Sequence, residues 1–90
     1  MKAFHVFVEG EVQGVGFRYA ALRQARLLEL CGWVRNTQDG EVEVWAQGKD
    51  EDLEDFLEWL HRGPAYAEVL HVRCIWKEPN NRYTSFEIAF

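Results

Sequence analysis

Two helical stripes with a strand pair between them constrain this chain more than any other feature. In residues 49–62, Leu53, Phe56, Leu57 and Leu60 recur at i, i+3, i+4 and i+7, which places them on one face of a helix. Asp50, Glu51 and Asp52 occupy its first turn and His61 and Arg62 its last, the order the helix dipole favours. Gly63-Pro64 then stops it. Residues 17–28 (FRYAALRQARLL) contain no Gly or Pro and three alanines, and Phe17, Ala21, Ala25 and Leu28 share a helical face. Between the two helices, residues 32–36 (GWVRN) and 41–47 (EVEVWAQ) read as strands, with Asp39-Gly40 as a hairpin turn. Outside them, residues 3–9 alternate, with Phe4, Val6 and Val8 on one side and His5, Phe7 and Glu9 on the other. Residues 67–77 and 84–90 are further strands, Asn80-Asn81 marking their connection, and Phe86, Ile88 and Phe90 share a face of the last.

A hairpin between two helices, with strands outside, is the split β-α-β arrangement. Each helix has one apolar stripe, so both belong on one face of a mainly antiparallel sheet. The expected fold is α/β in content and α+β in arrangement, a ferredoxin-like sandwich. Its other sheet face would carry His5, Phe7, Glu43 and Trp45, partly wet. Ninety residues leave room for one domain, spanning 1–90. Hydrophobic residues at 48% and aromatics at 14% separate the chain from disordered ones. No apolar run approaches the ~18 residues of a membrane span. Residues 1–10 lack the basic start, apolar centre and cleavage site of a signal peptide, so the cytoplasm is the expected compartment and no membrane is involved. The net charge of −5, from 15 acids against 10 basic residues, argues against a general nucleic-acid binder, which needs a basic face to displace counterions. Cys31 and Cys74 are too few for a disulfide scaffold and are not spaced as a zinc site. They read as buried thiols, with one disulfide between them as the open alternative.

Few residues offer chemistry. The only serine, Ser85, sits in a terminal strand without the glycines of a nucleophile elbow. His5, His61 and His71 fall in separate elements and lack metal-ligand spacing. The carboxylates of the second helix read as a solvated face. What remains is the loop GEVQGVG, residues 10–16, leading to Arg18, and the hairpin that carries Asn36. Gly14 and Gly16 allow successive N–H groups to turn inward as an anion nest. The loop runs into a helix N-terminus, whose first N–H groups lack internal partners and whose dipole attracts anions. Arg18 opposes that dipole, and its planar fork suits two phosphate oxygens. A tight turn that merely requires glycine is the plainer alternative.

Gly10-Glu11-Val12-Gln13-Gly14-Val15-Gly16-Phe17-Arg18 resembles the first signature of the acylphosphatase family, G-x-V-Q-G-V-x-[FY]-R. Gly32-Trp33-Val34-Arg35-Asn36, followed by Gly40, Val42 and Gly48, resembles the second. Gly63-Pro64, Ala67, Val69 and the Phe86-x-Ile88 ending extend the resemblance over nearly the whole chain. It implies hydrolysis of acyl phosphates to a carboxylate and inorganic phosphate on a ferredoxin-like fold, without metal or cofactor. It further implies that Arg18 binds the phosphoryl group and that Asn36 orients the attacking water. Two positions depart from the pattern. Glu29 stands where the family commonly has a glycine that would cap the first helix, and Ala20 replaces what is often a bulkier residue.

The chemistry of the substrate fits such a site. A carboxylic acid has a pKa near ~4, so the leaving oxygen needs no proton at neutral pH. Phosphoryl transfer asks mainly for positioning and charge stabilisation. On the resemblance, the phosphate-binding set is Gln13, Gly14, Val15, Gly16, Phe17 and Arg18, mostly through backbone N–H groups, with Arg18 and Asn36 as the catalytic pair it implies. Phe17 reads as a core anchor and Arg35 as surface, on the opposite strand face from Asn36. Tyr19, Trp33 and Trp45 are either substrate contacts or packing residues. A monomer acting on a small-molecule substrate is expected. The competing reading is a non-enzymatic ferredoxin-like binding module for a phosphorylated metabolite. A variant acting on carbamoyl phosphate within a larger assembly lacks the cysteine- or histidine-rich extension that would support it.

Overall fold

Alternation and helical periodicity are each realised where the side chains can reach a common interior. A computed structural model describes residues 1–90. The elements are β1 (Lys2–Glu11), α1 (Phe17–Leu27), β2 (Cys31–Asn36), β3 (Val42–Gly48), α2 (Asp50–Arg62), β4 (Glu68–Lys77) and β5 (Phe86–Ile88). The five strands form one sheet in the order β4-β1-β3-β2-β5. All pairs are antiparallel except β2 with β5, which is parallel. No helix is long and apolar enough to cross a membrane.

The inner sheet face and the two helices enclose one cluster. Phe4, Val6, Val8, Val34, Val42 and Val44 meet Phe17, Ala21 and Ala25 of α1 and Leu53, Phe56 and Leu60 of α2. Phe56 is the hub: its ring stacks on Phe4 at 6.2 Å and meets Phe86 edge-on at 5.8 Å. The short β5 thus closes the sheet through one buried phenyl ring as well as through its ladder. The strand expected over 84–90 is shorter than its alternation suggests. Phe86 is buried and Ile88 half-buried, but Phe90 has left the sheet and is exposed.

Of the four residues expected on the outer face, His5, Phe7 and Trp45 are half-buried, as expected, and Glu43 alone is buried. The Glu43 side chain is only 9% exposed. Its carboxylate accepts a 2.6 Å hydrogen bond from Arg35 Nε and lies 2.7 Å from His5 Nε2. A buried carboxylate is tolerated when its oxygens are matched by hydrogen-bonded partners. Glu43 is therefore not a partly wet residue but the centre of a three-residue cluster. Arg35 is at the surface as expected, yet it is tethered to that cluster.

The topology also settles the cysteines. Cys31 lies on β2 and Cys74 on β4, with β3 and β1 between them. Three inter-strand spacings amount to about 14 Å, against the ~7 Å Cα separation a disulfide tolerates. Both are free thiols, half-buried rather than buried as expected, and partial burial pushes the Cys74 thiol above its ordinary pKa.

Helix α1 ends by a left-handed turn at Glu29, the only non-glycine residue with positive φ, at 57°. The N–H of Leu30 bonds the carbonyl of Ala25 at 2.9 Å, and that of Glu29 bonds Arg26 at 3.1 Å, the Schellman pattern that usually takes glycine. A glutamate here meets both the left-handed penalty and the negative end of the dipole. Glu29→Gly is expected to stabilise the chain by about 1 kcal/mol. The check is the urea midpoint, which should rise with the slope unchanged; an unchanged midpoint would mean the turn carries no strain.

Candidate active site

The strand directions decide which residues meet. Strands β1 and β2 both run antiparallel to β3, so they are parallel to each other and finish at the same end of the sheet. Val8 and Asn36 both pair with Val42. The segment leaving β1 therefore returns over the end of β2. Residues 12–18 bridge from the sheet to the start of α1, and Gln13 secures them. Its amide nitrogen donates to the carbonyls of Thr37 at 2.9 Å and Glu41 at 2.7 Å, both in the β2–β3 connection. The hairpin itself is held by the Thr37–Glu41 backbone bond of 2.9 Å and by the Glu41 N–H to Thr37 Oγ1 at 3.1 Å.

Beyond Gln13 the chain turns twice through left-handed conformations, at Gly14 (φ 76°) and Gly16 (φ 77°). No atom crowds the space a side chain would occupy at either, so conformation is what requires glycine there. Gly16 is also the N-cap of α1, and no side chain caps this end. The first helical hydrogen bond runs from the Ala20 N–H to the Gly16 carbonyl. No backbone N–H from Gln13 to Tyr19 finds a backbone acceptor within the chain. Three of them, at Phe17, Arg18 and Tyr19, are the usual orphans of a helix start. The remainder belong to the glycine turn.

Part of this run borders a concavity of about 170 Å³ lined by Val12, Gly14, Gly16, Phe17, Arg18, Tyr19 and Asn36. Arg18 and Asn36, far apart in sequence, thus share one small site. Arg18 is half-buried and pairs with no carboxylate; its guanidinium carbon lies 5.3 Å from the centroid of the Phe90 ring. Asn36 is half-buried as well. Phe17 is 1% exposed and meets Trp59 of α2 edge-on at 5.5 Å, so its ring anchors the start of α1 in the core. Arg35 and Glu43 are cross-strand partners, and their ion pair fixes the strand end from which Asn36 projects.

Two members of the expected phosphate-binding set stand back from this wall. The Gln13 amide is committed to the hairpin carbonyls, leaving its backbone N–H as the group it could offer. Val15 packs against the core. The positioning role of Gln13 escaped sequence reasoning, because its two partners lie 24 and 28 residues away; the available signal was a long amide in a glycine-rich loop. Tyr19 lines the concavity, whereas Trp33 and Trp45 lie elsewhere. Trp33 donates to the Tyr83 hydroxyl and Trp45 to Gln47, so both are packing residues of the outer face. No three histidine, cysteine or carboxylate side chains converge as a metal-binding group.

Comparison with known proteins shows the family and the fold. The family model described as acylphosphatase matches residues 4–88. A protein of Moorella thermoacetica named acylphosphatase is 49% identical over 84 residues, covering 93% of this chain and 89% of its own length. The crystal structure of acylphosphatase from Bacillus subtilis superposes with a TM-score of 0.96 at 33% identity, covering all of both chains. The structure of an acylphosphatase from Coxiella burnetii gives a TM-score of 0.93 at 36% identity, covering 98% of this chain and 92% of the other.

Proposed function

Since this chain belongs to the acylphosphatase family, and is with it an enzyme of acyl phosphate hydrolysis, we propose a division of labour among its residues. The N–H groups from Gly14 to Arg18 and the Arg18 guanidinium hold the phosphoryl oxygens. Asn36 holds a water in line with the scissile bond. The water oxygen attacks phosphorus, the bond from phosphorus to the acyl oxygen breaks, and the carboxylate leaves with the electron pair. The water's proton passes to a phosphoryl oxygen. Charge moves onto the leaving oxygen and the phosphoryl group during this step, and fixed donors aimed at those oxygens lower its barrier. The observation that carries the reading is the shared concavity: residues of the unpaired N–H run, an arginine with no ion-pair partner and an asparagine line the same 170 Å³. The binding-module alternative has no comparable support.

The same reading makes catalysis independent of a metal and of any titrating side chain. The lining residues are glycines, aliphatic and aromatic groups, an amide and an arginine, with no histidine, carboxylate or thiol among them. Acyl phosphate hydrolysis should therefore survive EDTA and stay nearly flat from about pH 5 to 8, the range of histidine. A bell centred near neutrality, or loss of activity on chelation, would sink the mechanism. We propose further that residues 1–90 act as one domain, as a cytoplasmic monomer.

A further inference from the structure

The cradle lies between two surfaces of opposite character. On one side, Asn36 is shared with an open basin of about 530 Å³ whose walls include Arg35, Thr37, Asp39 and Glu41. On the other, Tyr19 is shared with a groove of about 400 Å³ along the outer side of α1, bordered by Leu22, Leu27 and two arginines. Of those arginines, Arg26 is already engaged by the Phe86 carbonyl at 3.2 Å and Glu87 at 3.1 Å. Leu27 is 75% exposed and Tyr19 59%, a large amount of apolar surface left uncovered beside an anion site. Phe17, two residues earlier, is fully packed against Trp59, so the helix start spends one aromatic on the core and turns another outward.

An in-line displacement puts the incoming water and the departing group on opposite sides of phosphorus. Water held by Asn36 comes from the sheet side, where the basin is polar. The acyl group then leaves past the helix side, where Tyr19 and the groove are apolar. Resting on the cradle proposed above, we infer that the acyl moiety of the substrate lies across Tyr19 and into the α1 groove, so that Tyr19 is a specificity-determining residue favouring aryl and other bulky apolar acyl phosphates over acetyl phosphate. A ring lying on Tyr19 gains both area burial and aromatic contact, while an acetyl group is too short to cover it.

The test compares benzoyl phosphate with acetyl phosphate as substrates of wild type, Tyr19→Ala and Tyr19→Phe. Wild type should prefer the benzoyl compound in kcat/KM. Tyr19→Ala should lower that preference by about tenfold, mainly through KM, and Tyr19→Phe should retain it, since the ring is kept. A preference unchanged in Tyr19→Ala, or lost equally in Tyr19→Phe, would overturn the assignment. So would an equal loss on both substrates, which would make Tyr19 a positioning residue for the cradle. Failure of wild type to hydrolyse either compound would instead refute the cradle itself.

Discussion

Arg18→Lys is expected to remove most acyl phosphate hydrolysis, by about a thousandfold, on the scale of an arginine that stabilises a transferring phosphoryl group. Lysine keeps the charge but loses the planar fork that meets two oxygens at once. The same substitution should weaken binding of inorganic phosphate, which separates binding from turnover. A ligand at tenfold its Kd stabilises the folded state by ~1.4 kcal/mol, or roughly 6–10 °C in Tm for a chain of this size. Wild type should show that rise in a thermal melt with phosphate, and Arg18→Lys a far smaller one at the same concentration. Arg18 forms no ion pair and stacks only on the exposed Phe90 ring, so the unliganded Tm should move little. A large drop without phosphate would point to a structural role.

Asn36→Ala should give the complementary result. Turnover should fall by about a hundredfold or more, the order lost when a reacting group is no longer positioned. The phosphate-dependent rise in Tm should persist, because the loop N–H groups and Arg18 are untouched. The Arg35–Glu43 pair and the Gln13 contacts to the hairpin do not involve the Asn36 side chain, so the strand end should hold its place. If Asn36→Ala loses the rise while Arg18→Lys keeps it, the two roles are reversed.

The legible part of this molecule is the part fixed by local pattern. Leu53, Phe56 and Leu60 announce α2 by spacing, and all three are buried. The alternation of Phe4, Val6 and Val8 picks the inner face of β1 correctly. The Gly14 and Gly16 turn into α1 is readable because glycine at such positions has a narrow set of uses, and the strained end at Glu29 because it departs from one. What could not be read depends on partners remote in sequence. Glu43 looks like any solvated carboxylate until β1 and β2 bring His5 and Arg35 to it. Gln13 is a hairpin clamp only because β3 separates β1 from β2 by one strand. Phe90 continues the alternation of Phe86 and Ile88, but β5 ends at Ile88, where the chain turns toward Arg18 instead.

That placement of β3 between β1 and β2 has a consequence for a chain emerging from the ribosome. Arg18 and Asn36 are both synthesised within the first 36 residues, yet neither strand behind them can take its neighbour until residues 42–48 arrive to pair with both. The outer partners, β4 and β5, come later still. The first 41 residues already contain every residue of the proposed anion cradle and its proposed water-holding amide, but not the strand that joins their two supports. Non-local pairing of this kind slows folding, and it makes the proposed site a late property of the chain: phosphate held there would stabilise the assembled fold and none of its precursors.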